Sequence, residues 1–179
     1  KVMECTHNYM DSWYYDGNDR NPKRWKGYDA HAQAKDLCNY IAEHADDDKP
    51  FLAMLSWGPP HDPYDQVPEE YLKRYADLTK IVLRDNVPED YREEALKMLQ
   101  GYYAHIAALD ESMGWILQQI KASGIEENTI LIFTSDHGDM VGSQGMKYKS
   151  NPWEESILVP FLLRYPHAIK QKRTIKMPI

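Results

Sequence analysis

Residues 129–139 read TILIFTSDHGD, an apolar run that ends abruptly in Asp136, His137 and Asp139. The β-branched and aliphatic residues of this run predict a buried strand over residues 129–134. In open α/β sheets, ligands bind outside the carboxyl ends of the strands. The polar residues after this strand are therefore the first candidates for a functional site.

Two other apolar runs predict further strands. Residues 51–56 (FLAMLS) directly follow Pro50 and predict a strand that is covered on both faces. Residues 159–164 (VPFLLR) predict a third strand. Pro160 places this third strand at a sheet edge, or marks a strand start, because proline cannot donate a ladder hydrogen bond.

Helical spacing of apolar residues predicts two main helices. The first begins at about Asp29, its expected N-cap, and the second opens at Pro88 and stops at Gly124. Asp110 falls on the apolar stripe of the second helix, so we expect it to be buried and paired, as structural support for the site. The stripes are Ala34, Leu37, Cys38, Ile41 and Ala45 in the first helix, and Leu99, Tyr103, Ile106, Asp110, Met113, Leu117 and Ile120 in the second.

Strands that alternate with long helices indicate the α/β class of fold. The helices are long enough to cover both faces of a sheet, which predicts a layered sandwich around a mainly parallel or mixed sheet. The chain accordingly divides into an aromatic-rich loop over residues 1–28, an α/β core over residues 29–166 and a tail over residues 167–179.

The composition excludes several classes of protein. With 179 residues, of which 42% are hydrophobic and 27% charged, the chain has the makeup of one globular domain. Its net charge of −7 argues against a nucleic-acid partner, and no apolar run is long enough to span a bilayer. Because the chain does not begin with methionine, we expect a fragment with an exposed sheet edge or apolar patch. Cys5 and Cys38 are expected to be two unconnected thiols.

Asp136 and His137 are the candidate metal ligands. A carboxylate and an imidazole at the mouth of a strand can bind a metal ion, and Gly138 allows the sharp backbone turn that this requires. The alternative is an ordinary turn in which Asp136 caps the next segment and His137 is only polar. Two ligands alone do not separate these interpretations.

His61 is the candidate proton donor. It lies in WGPPHDPY, residues 57–64, where three prolines restrict the backbone and lower the entropy cost of presenting one imidazole at a fixed place. An imidazole held in this way can donate a proton to a leaving group. The alternative is a rigid surface turn with an ordinary exposed histidine.

Lys149 is the candidate anion contact. The residues after it predict a helix start, with Asn151 as N-cap, Pro152 at the first helical position and Glu154 completing a capping box. An ammonium group beside a helix N-terminus can bind an anion together with free backbone N–H groups. Lys147 lies close by and competes for the same role.

Four separated motifs resemble the sulfatase family in order and spacing. They are residues 50–64, which include His61, residues 101–110 (GYYAHIAALD), residues 124–139, and residues 149–160. The resemblance implies an alkaline-phosphatase-like α/β/α sandwich that hydrolyses sulfate esters. In this family the nucleophile is a formylglycine, made from the first residue of a C/S-x-P-x-R motif, beside a divalent cation that is usually calcium.

The resemblance also implies a role for each candidate residue. Asp136 and His137 are ligands of the cation, Lys149 contacts the sulfate, and His61 contacts the sulfate and assists the leaving alcohol. The spacing from Lys149 to the Trp-Glu pair at 153–154 favours Lys149 over Lys147. The family often has asparagine at the position of His137, and an imidazole nitrogen is a softer ligand than an amide oxygen, which bears on the choice of calcium.

Two parts of the family pattern do not occur in these residues. Cys5 is followed by Thr-His-Asn and Cys38 by Asn-Tyr-Ile, so no C/S-x-P-x-R motif is found. The paired aspartates that complete the cation site in the family are also not found. We therefore expect the formylglycine and the remaining ligands to lie upstream, and the chain by itself to be inactive.

The resemblance implies a sulfuric ester hydrolase similar to bacterial enzymes that act on sulfated sugars, with a small sulfated sugar or aryl sulfate as its partner. The alternatives are a phosphodiesterase or phosphonate hydrolase of the same superfamily, and a non-catalytic chain that binds anionic glycans. A periplasmic or secreted location is implied by the family alone. The aromatic residues from Tyr9 to Trp25 either line a sugar subsite or form ordinary surface.

Overall fold

The computed structural model, which describes residues 2–3 and 7–175, places helices beside two small sheets. The helices are α1 (Asp29–His44), α2 (Glu69–Arg74), α3 (Arg92–Ala122) and α4 (Glu154–Ile157), and the strands are β1 (Val2–Met3), β2 (Trp13–Tyr15), β3 (Lys23–Arg24), β4 (Leu131–Thr134) and β5 (Phe161–Arg164). Short 3-10 turns lie at Leu78–Lys80, Glu89–Tyr91, Glu126–Asn128 and Ser143–Gly145. In this part of the chain no helix is both long and apolar enough to cross a membrane.

The 31-residue helix α3 is the central support of the fold. It follows the turn that Pro88 opens and ends just before Gly124, which has a φ of 70°, as the sequence predicts. Half of its ten buried residues are small, namely Ala95, Gly101, Ala104, Ala108 and Ser112, and the others are Met98, His105, Leu109, Ile116 and Ile120. Small side chains let the neighbouring segments approach the helix axis closely.

The buried face of α3 is rotated relative to the predicted stripe. Asp110 is exposed, and so are Ile106 and Leu117, whereas Ala108 and Leu109 are buried. The prediction of a buried, paired Asp110 is therefore wrong. It followed the large apolar residues, but the closest packing of this helix follows its alanines and glycine, and water hydrates the Asp110 carboxylate.

Gly101 lies where α3 meets the segment that carries His61. A Cβ atom at Gly101 would lie 2.1 Å from the Tyr64 carbonyl oxygen, whereas one at Gly114 in the same helix would contact nothing. We expect Gly101→Ala to lower the free energy of unfolding by about 2 kcal/mol or more. Gly114→Ala, the matched control, should raise it by about 0.5–1 kcal/mol, because alanine has the higher helix propensity. Urea unfolding measures both, and equal effects would contradict the close contact at Gly101.

Helix α1 packs along α3 and begins at Asp29, with Tyr28 as its N-cap. The predicted cap is displaced by one position, because Asp29 is buried within the first turn instead of standing outside it. One hydrophobic cluster joins the two helices, and its buried members are Ala34, Ile41, Ile116 and Ile120. Cys38 of α1 is a free thiol, and Cys5 lies outside the described residues.

Burial of Asp29 makes stability depend on pH. Desolvation raises the pKa of its carboxyl from 3.8 to about 6, so the folded state keeps this proton longer than the unfolded state. The protonated Asp29 carboxyl therefore makes its full contribution to the stability of the folded state below about pH 4, and this contribution is lost as the pH rises through 6. We expect Asp29→Asn to exceed the wild type in free energy of unfolding by about 2 kcal/mol at pH 7 and to equal it near pH 3.5. Urea unfolding at both pH values measures this, and a pH-independent difference would contradict it.

Within residues 1–28, predicted to be an aromatic-rich loop, the structure describes a small sheet instead. Strands β1, β2 and β3 form an antiparallel sheet in that order, with Trp13 opposite Arg24. The Tyr14 and Trp25 rings stack with their centroids 3.9 Å apart, and aromatic contacts of this kind stabilise strand pairs. The prediction failed because each strand has only two or three residues, which is too short to show a period.

Strands β4 and β5 pair antiparallel, with Leu131 opposite Arg164 and Thr134 opposite Phe161. Both lie where the sequence predicts strands, but neither is buried on both faces, since alternate residues of β4 and all residues of β5 are exposed. Parallel pairs do not occur among the described strands. The connection from β4 to β5 contains a short 3-10 turn and the four-residue α4, and not the long crossover helix that links parallel strands.

Residues 51–56 do not form the predicted strand. No strand within residues 7–175 lies beside them to complete a ladder. Leu55 packs against the cluster between α1 and α3, while Leu52 and Met54 are 94% and 89% exposed. Leu52 and Met54 thus form a small exposed apolar patch.

This apolar patch should bind apolar probes. We expect the double substitution Leu52→Lys and Met54→Lys to reduce the binding of an environment-sensitive apolar dye, and to change the free energy of unfolding by less than about 0.5 kcal/mol. Leu55→Lys, the control on the packed side, should lower the free energy of unfolding by about 2 kcal/mol, because it brings a charge into the cluster. Dye fluorescence and urea unfolding measure the two effects. Unchanged dye binding in the double variant would rule this patch out as the binding surface.

Candidate active site

Three segments that are far apart in sequence meet at one open cleft of about 1020 Å³. They are the segment around His61, the turn after β4 that holds Asp136 and His137, and the segment around Lys149. All four of these side chains line the cleft. The structure thus brings together the residues that the sequence analysis selects, while their chemical roles stay predictions.

The orientation of His61 is set within its own segment. Its backbone N–H donates to the Gly58 carbonyl oxygen at 3.2 Å, which closes a turn. Its Nδ1 lies 2.9 Å from the Asp62 carbonyl oxygen and 2.9 Å from the Asp62 carboxylate oxygen Oδ1. Both partners can only accept, so we assign the proton of the neutral ring to Nδ1, which leaves Nε2 as an acceptor.

Lys149 supplies the donor for that nitrogen. Its Nζ lies 2.6 Å from His61 Nε2. Of the two candidate lysines, Lys149 lines the cleft, whereas Lys147 forms an ion pair with Glu94 of α3. The geometry therefore favours Lys149 over Lys147, as the motif spacing does.

Asp139 ties the segments of the cleft together. Its Oδ2 accepts a hydrogen bond from the Tyr64 hydroxyl at 2.8 Å, and its Oδ1 accepts one from the backbone N–H of Tyr148 at 3.2 Å. Burial, and then the Asp139 charge, raise the pKa of Tyr64, so its hydroxyl remains a donor. Tyr64 belongs to the segment of His61, and Tyr148 precedes Lys149. The Asp139 carboxylate thus links the segment of His61 to the segment of Lys149.

The capping box predicted after Lys149 does not form. Helix α4 begins at Glu154 with Trp153 as its N-cap, and Trp153 makes no side-chain capping hydrogen bond. The Nδ2 of Asn151 instead donates to the Lys149 carbonyl oxygen at 3.2 Å. A four-residue helix has few aligned peptide dipoles, so local hydrogen bonds, and not a helix end, position Lys149.

The turn after β4 places two possible metal ligands, Asp136 and His137, at the cleft. His137 Nδ1 lies 2.6 Å from the Gly138 carbonyl oxygen and donates to it, which leaves the lone pair on Nε2 available. This Nε2 lies 3.8 Å from Asp136 Oδ2, on a carboxylate that is 86% exposed. Gly138 is needed here because its N–H donates to the Ser156 carbonyl oxygen at 2.7 Å, and a Cβ atom would lie 2.1 Å from the Glu155 carbonyl oxygen.

This donor pair fits part of a cation site. Asp136 Oδ2 and His137 Nε2 are 3.8 Å apart, so these two atoms can be neighbouring ligands of one ion. Across the part of the chain that the structure describes, no group of three or more His, Cys, Asp or Glu side chains gathers to hold a metal ion. Calcium takes roughly six to eight oxygen ligands. Asp136 and His137 can therefore be only two members of a larger ligand set.

His7 is a cleft residue that the sequence analysis missed. Its ring centroid lies 4.5 Å from that of His61, and it lines the same cleft. The His137 ring lies 6.2 Å from His61, so three imidazoles and Lys149 share this space. A single histidine in a segment without periodicity gives no signal that sequence reasoning could have used.

Two buried residues that contact the His61 segment were also missed. Tyr9 and His105 reach backbone carbonyl groups of this segment. His105 belongs to the motif at residues 101–110, but it lies on the face of α3 that the predicted stripe left out. If the buried face of α3 is assigned from the small residues of that motif, His105 falls on that face.

The family profile described as Sulfatase matches residues 3–179. The chain is 41% identical over 182 residues to an "Ulvan-active sulfatase" of Formosa agariphila, a match that covers 100% of this chain and 35% of that protein. It is 31% identical over 172 residues to an "Endo-4-O-sulfatase" of Bacteroides thetaiotaomicron, with 93% of this chain and 34% of that protein covered. The chain thus spans about a third of the length of these curated relatives.

Solved structures share the fold. One from work on the metabolism of multiple glycosaminoglycans by Bacteroides thetaiotaomicron matches 91% of this chain and 35% of its own length, with a TM-score of 0.83 and 29% identity. Another, in complex with its substrate D-glucosamine-2-N,6-O-disulfate, matches 94% of this chain and 49% of its own length, with a TM-score of 0.81; at 19% identity it shows the fold alone. The predicted α/β class and alkaline-phosphatase-like fold are confirmed.

Proposed function

Because this chain belongs to the sulfatase family, we propose that its cleft takes part in the hydrolysis of a sulfate ester, with a sulfated sugar as the substrate. The contact between Lys149 and His61 carries the proposal, since it lies in the same cleft as Asp136 and His137. Sulfate-ester cleavage builds negative charge on oxygen, and preorganised cations and donors at that place lower the barrier.

Lys149 binds the sulfate group in this proposal. An ammonium group has three N–H donors, and His61 Nε2 engages one of them. The other donors are available for sulfate oxygens. Because the charge on those oxygens rises during the reaction, the ammonium stabilises the transition state more than the bound substrate.

His61 protonates the leaving alcohol. In the form that donates, both ring nitrogens carry a proton. Nδ1–H keeps its hydrogen bonds to Asp62, whose carboxylate oxygen at 2.9 Å offsets the charge of the imidazolium. In this form Nε2 can no longer accept from Lys149, so the ammonium group turns to the sulfate oxygens. Nε2–H points into the cleft and gives its proton to the alcohol oxygen as the ester bond breaks.

Two further components belong to the proposed reaction. The attacking oxygen in this family comes from a formylglycine, and the 179 residues contain no C/S-x-P-x-R motif to supply one. Asp136 and His137 would hold a divalent cation, for which calcium is the family's usual choice. When bound, such a cation polarises the sulfate oxygens as a Lewis acid.

The proposed substrate class and location follow from the relatives and the cleft. The names of the two curated relatives, an "Ulvan-active sulfatase" and an "Endo-4-O-sulfatase", support a sulfate ester as the substrate, and Trp25 lines the cleft together with His61. An indole face of this kind can pack against a sugar ring. We propose a periplasmic or secreted location on the strength of the family alone.

Anion binding by the 179-residue chain tests this proposal without requiring the nucleophile. Sodium sulfate is titrated while NMR follows the imidazole resonances. We expect a saturable shift of the His61 resonances that is lost in Lys149→Gln and kept in the control Lys147→Gln. No saturable shift, or the same loss in both variants, would overturn the assignment of this cleft.

A parallel titration addresses the rival reaction class. Phenyl phosphonate replaces sulfate as the probe, with the same chain and the same resonances. We expect sulfate to bind at least as tightly as phenyl phosphonate. A phosphonate that binds about tenfold more tightly would favour the phosphonate hydrolase instead.

A further inference from the structure

Three consecutive carbonyl groups of the His61 segment accept hydrogen bonds from buried side chains. The Tyr9 hydroxyl donates to the carbonyl oxygens of His61 at 3.0 Å and Asp62 at 3.1 Å. The Nε2 of His105 lies 3.3 Å from the Pro63 carbonyl oxygen. Tyr9 is 2% exposed and His105 is fully buried, so water does not compete for these contacts.

The hydrogen bonds of His105 fix which nitrogen carries its proton. The Pro63 carbonyl can only accept, so Nε2 is the donor. Nδ1 is then the acceptor, and the Tyr28 hydroxyl lies 2.7 Å from it. Burial lowers the pKa of His105 to about 4, and burial raises the pKa of Tyr28. At neutral pH His105 is therefore neutral. Its Nε2–H donates to the Pro63 carbonyl oxygen, and its Nδ1 accepts from the Tyr28 hydroxyl.

Ring packing holds these donors in place. The edge of the Tyr9 ring meets the His105 ring at a centroid distance of 5.5 Å and an angle of 85°. The Tyr28 ring stacks on His105 at 5.8 Å. Gly58 leaves the room that Tyr9 fills, since a Cβ atom there would lie 2.6 Å from the Tyr9 ring. The donors thus belong to a packed layer that ties the segment to α3.

We propose that Tyr9 and His105 are positioning residues that fix the imidazole of His61 against Lys149. The hydrogen bonds of the His61 ring go to Asp62, inside the same segment, and to Lys149. The direction of Nε2 therefore depends on the backbone of this segment, which Tyr9 and His105 hold from the interior. This inference rests on the proposed role of His61. It adds two residues that act through the backbone of the His61 segment.

The test uses the imidazole NMR spectrum of the 179-residue chain, with sodium sulfate as the probe. Tyr9→Phe removes one hydroxyl and keeps the ring, and His105→Leu removes the donor to Pro63. His105→Gln is the rescue variant, because its amide can still donate. Tyr103→Phe is the matched control, since this half-buried tyrosine of α3 contacts Tyr75 and not the His61 segment.

We expect Tyr9→Phe and His105→Leu each to weaken sulfate binding about fivefold to tenfold and to change the His61 nitrogen shifts in the free chain. His105→Gln should recover most of the affinity, and Tyr103→Phe should match the wild type. Each variant is measured well below its own melting temperature. A lower melting temperature with unchanged affinity and unchanged His61 shifts would show a purely structural role and overturn the proposal.

Two further outcomes are also decisive. If His105→Leu does not fold, Tyr9→Phe alone decides, since it removes a single hydroxyl. If the wild-type chain binds no sulfate, the proposed function fails, but the His61 shifts in the free variants still decide whether Tyr9 and His105 position the ring. Failure of the function and failure of the positioning role are thus distinguished.

Discussion

Lys149→Ala and His61→Ala are each expected to lower the turnover of an aryl sulfate by about a hundredfold or more, in the form of the protein that carries its nucleophile. Lys149 Nζ and His61 Nε2 are 2.6 Å apart, so each can reach the same sulfate ester. Both act on charge that appears mainly in the transition state, so the loss should fall on kcat more than on KM. Steady-state kinetics on folded variants measures this.

Lys147→Ala is the matched control for this prediction. Lys147 has the same charge and lies two residues from Lys149, but it pairs with Glu94 at the surface of α3. Its removal should change turnover by less than about twofold, because an exposed ion pair contributes little. Near-normal turnover in Lys149→Ala or His61→Ala, or an equal loss in Lys147→Ala, would contradict the assigned roles.

The 179-residue chain on its own is expected to show no turnover of an aryl sulfate, with or without added calcium. Covalent catalysis needs its nucleophile, and neither cysteine lies in the motif from which the family makes formylglycine. Asp136 and His137 also offer only one carboxylate and one imidazole, which is a weak calcium site by itself. Both deficits act on the same reaction, so we expect a rate equal to that of buffer.

The measurement compares hydrolysis of an activated aryl sulfate by the purified chain with a buffer blank, at several calcium concentrations. Asp136→Ala is the control for adventitious hydrolysis. Calcium-dependent turnover in the wild type that disappears in Asp136→Ala would show that these residues form a complete enzyme. The proposal that the nucleophile lies outside them would then be wrong.

The residues of the cleft could be predicted because chemistry and position coincide in the sequence. Asp136 and His137 follow an apolar run that does form a strand, and Pro59, Pro60 and Pro63 mark the turn at His61. Lys149 lines the cleft, but a different feature positions it from the one that the sequence suggests. The predicted helix start after it is displaced. The Tyr148 N–H bond to Asp139 and the Asn151 bond to the Lys149 carbonyl oxygen hold this segment instead.

The misplaced face of α3 has one physical cause. Spacing rules weigh large apolar residues, but the partners of this helix approach closest where Gly101, Ala104 and Ala108 leave room. The same error concealed His105, a polar residue on the buried face. No count of apolar residues identifies a histidine whose two ring nitrogens are both satisfied in the interior.

The segment at residues 51–56 shows a different limit. Its composition is that of a covered strand, but a strand also requires a neighbour with which to exchange backbone hydrogen bonds. The local sequence indicates a tendency to form a strand, but it does not show whether a neighbouring strand is present. Only Leu55 of this run packs against a hydrophobic cluster, while residues 51–54 are exposed.

Two buried titratable groups, Asp29 and His105, have opposite effects on proton release during unfolding. Near pH 5 the folded chain keeps one proton on Asp29, whose pKa is about 6, and none on the basic nitrogen of His105, whose pKa is about 4. The unfolded chain has the reverse arrangement, with an ionised aspartate and a charged histidine. Unfolding therefore moves a proton from one group to the other with almost no exchange with the buffer. The combined contribution of Asp29 and His105 to stability should therefore vary little near pH 5, although each group alone is sensitive to acidity.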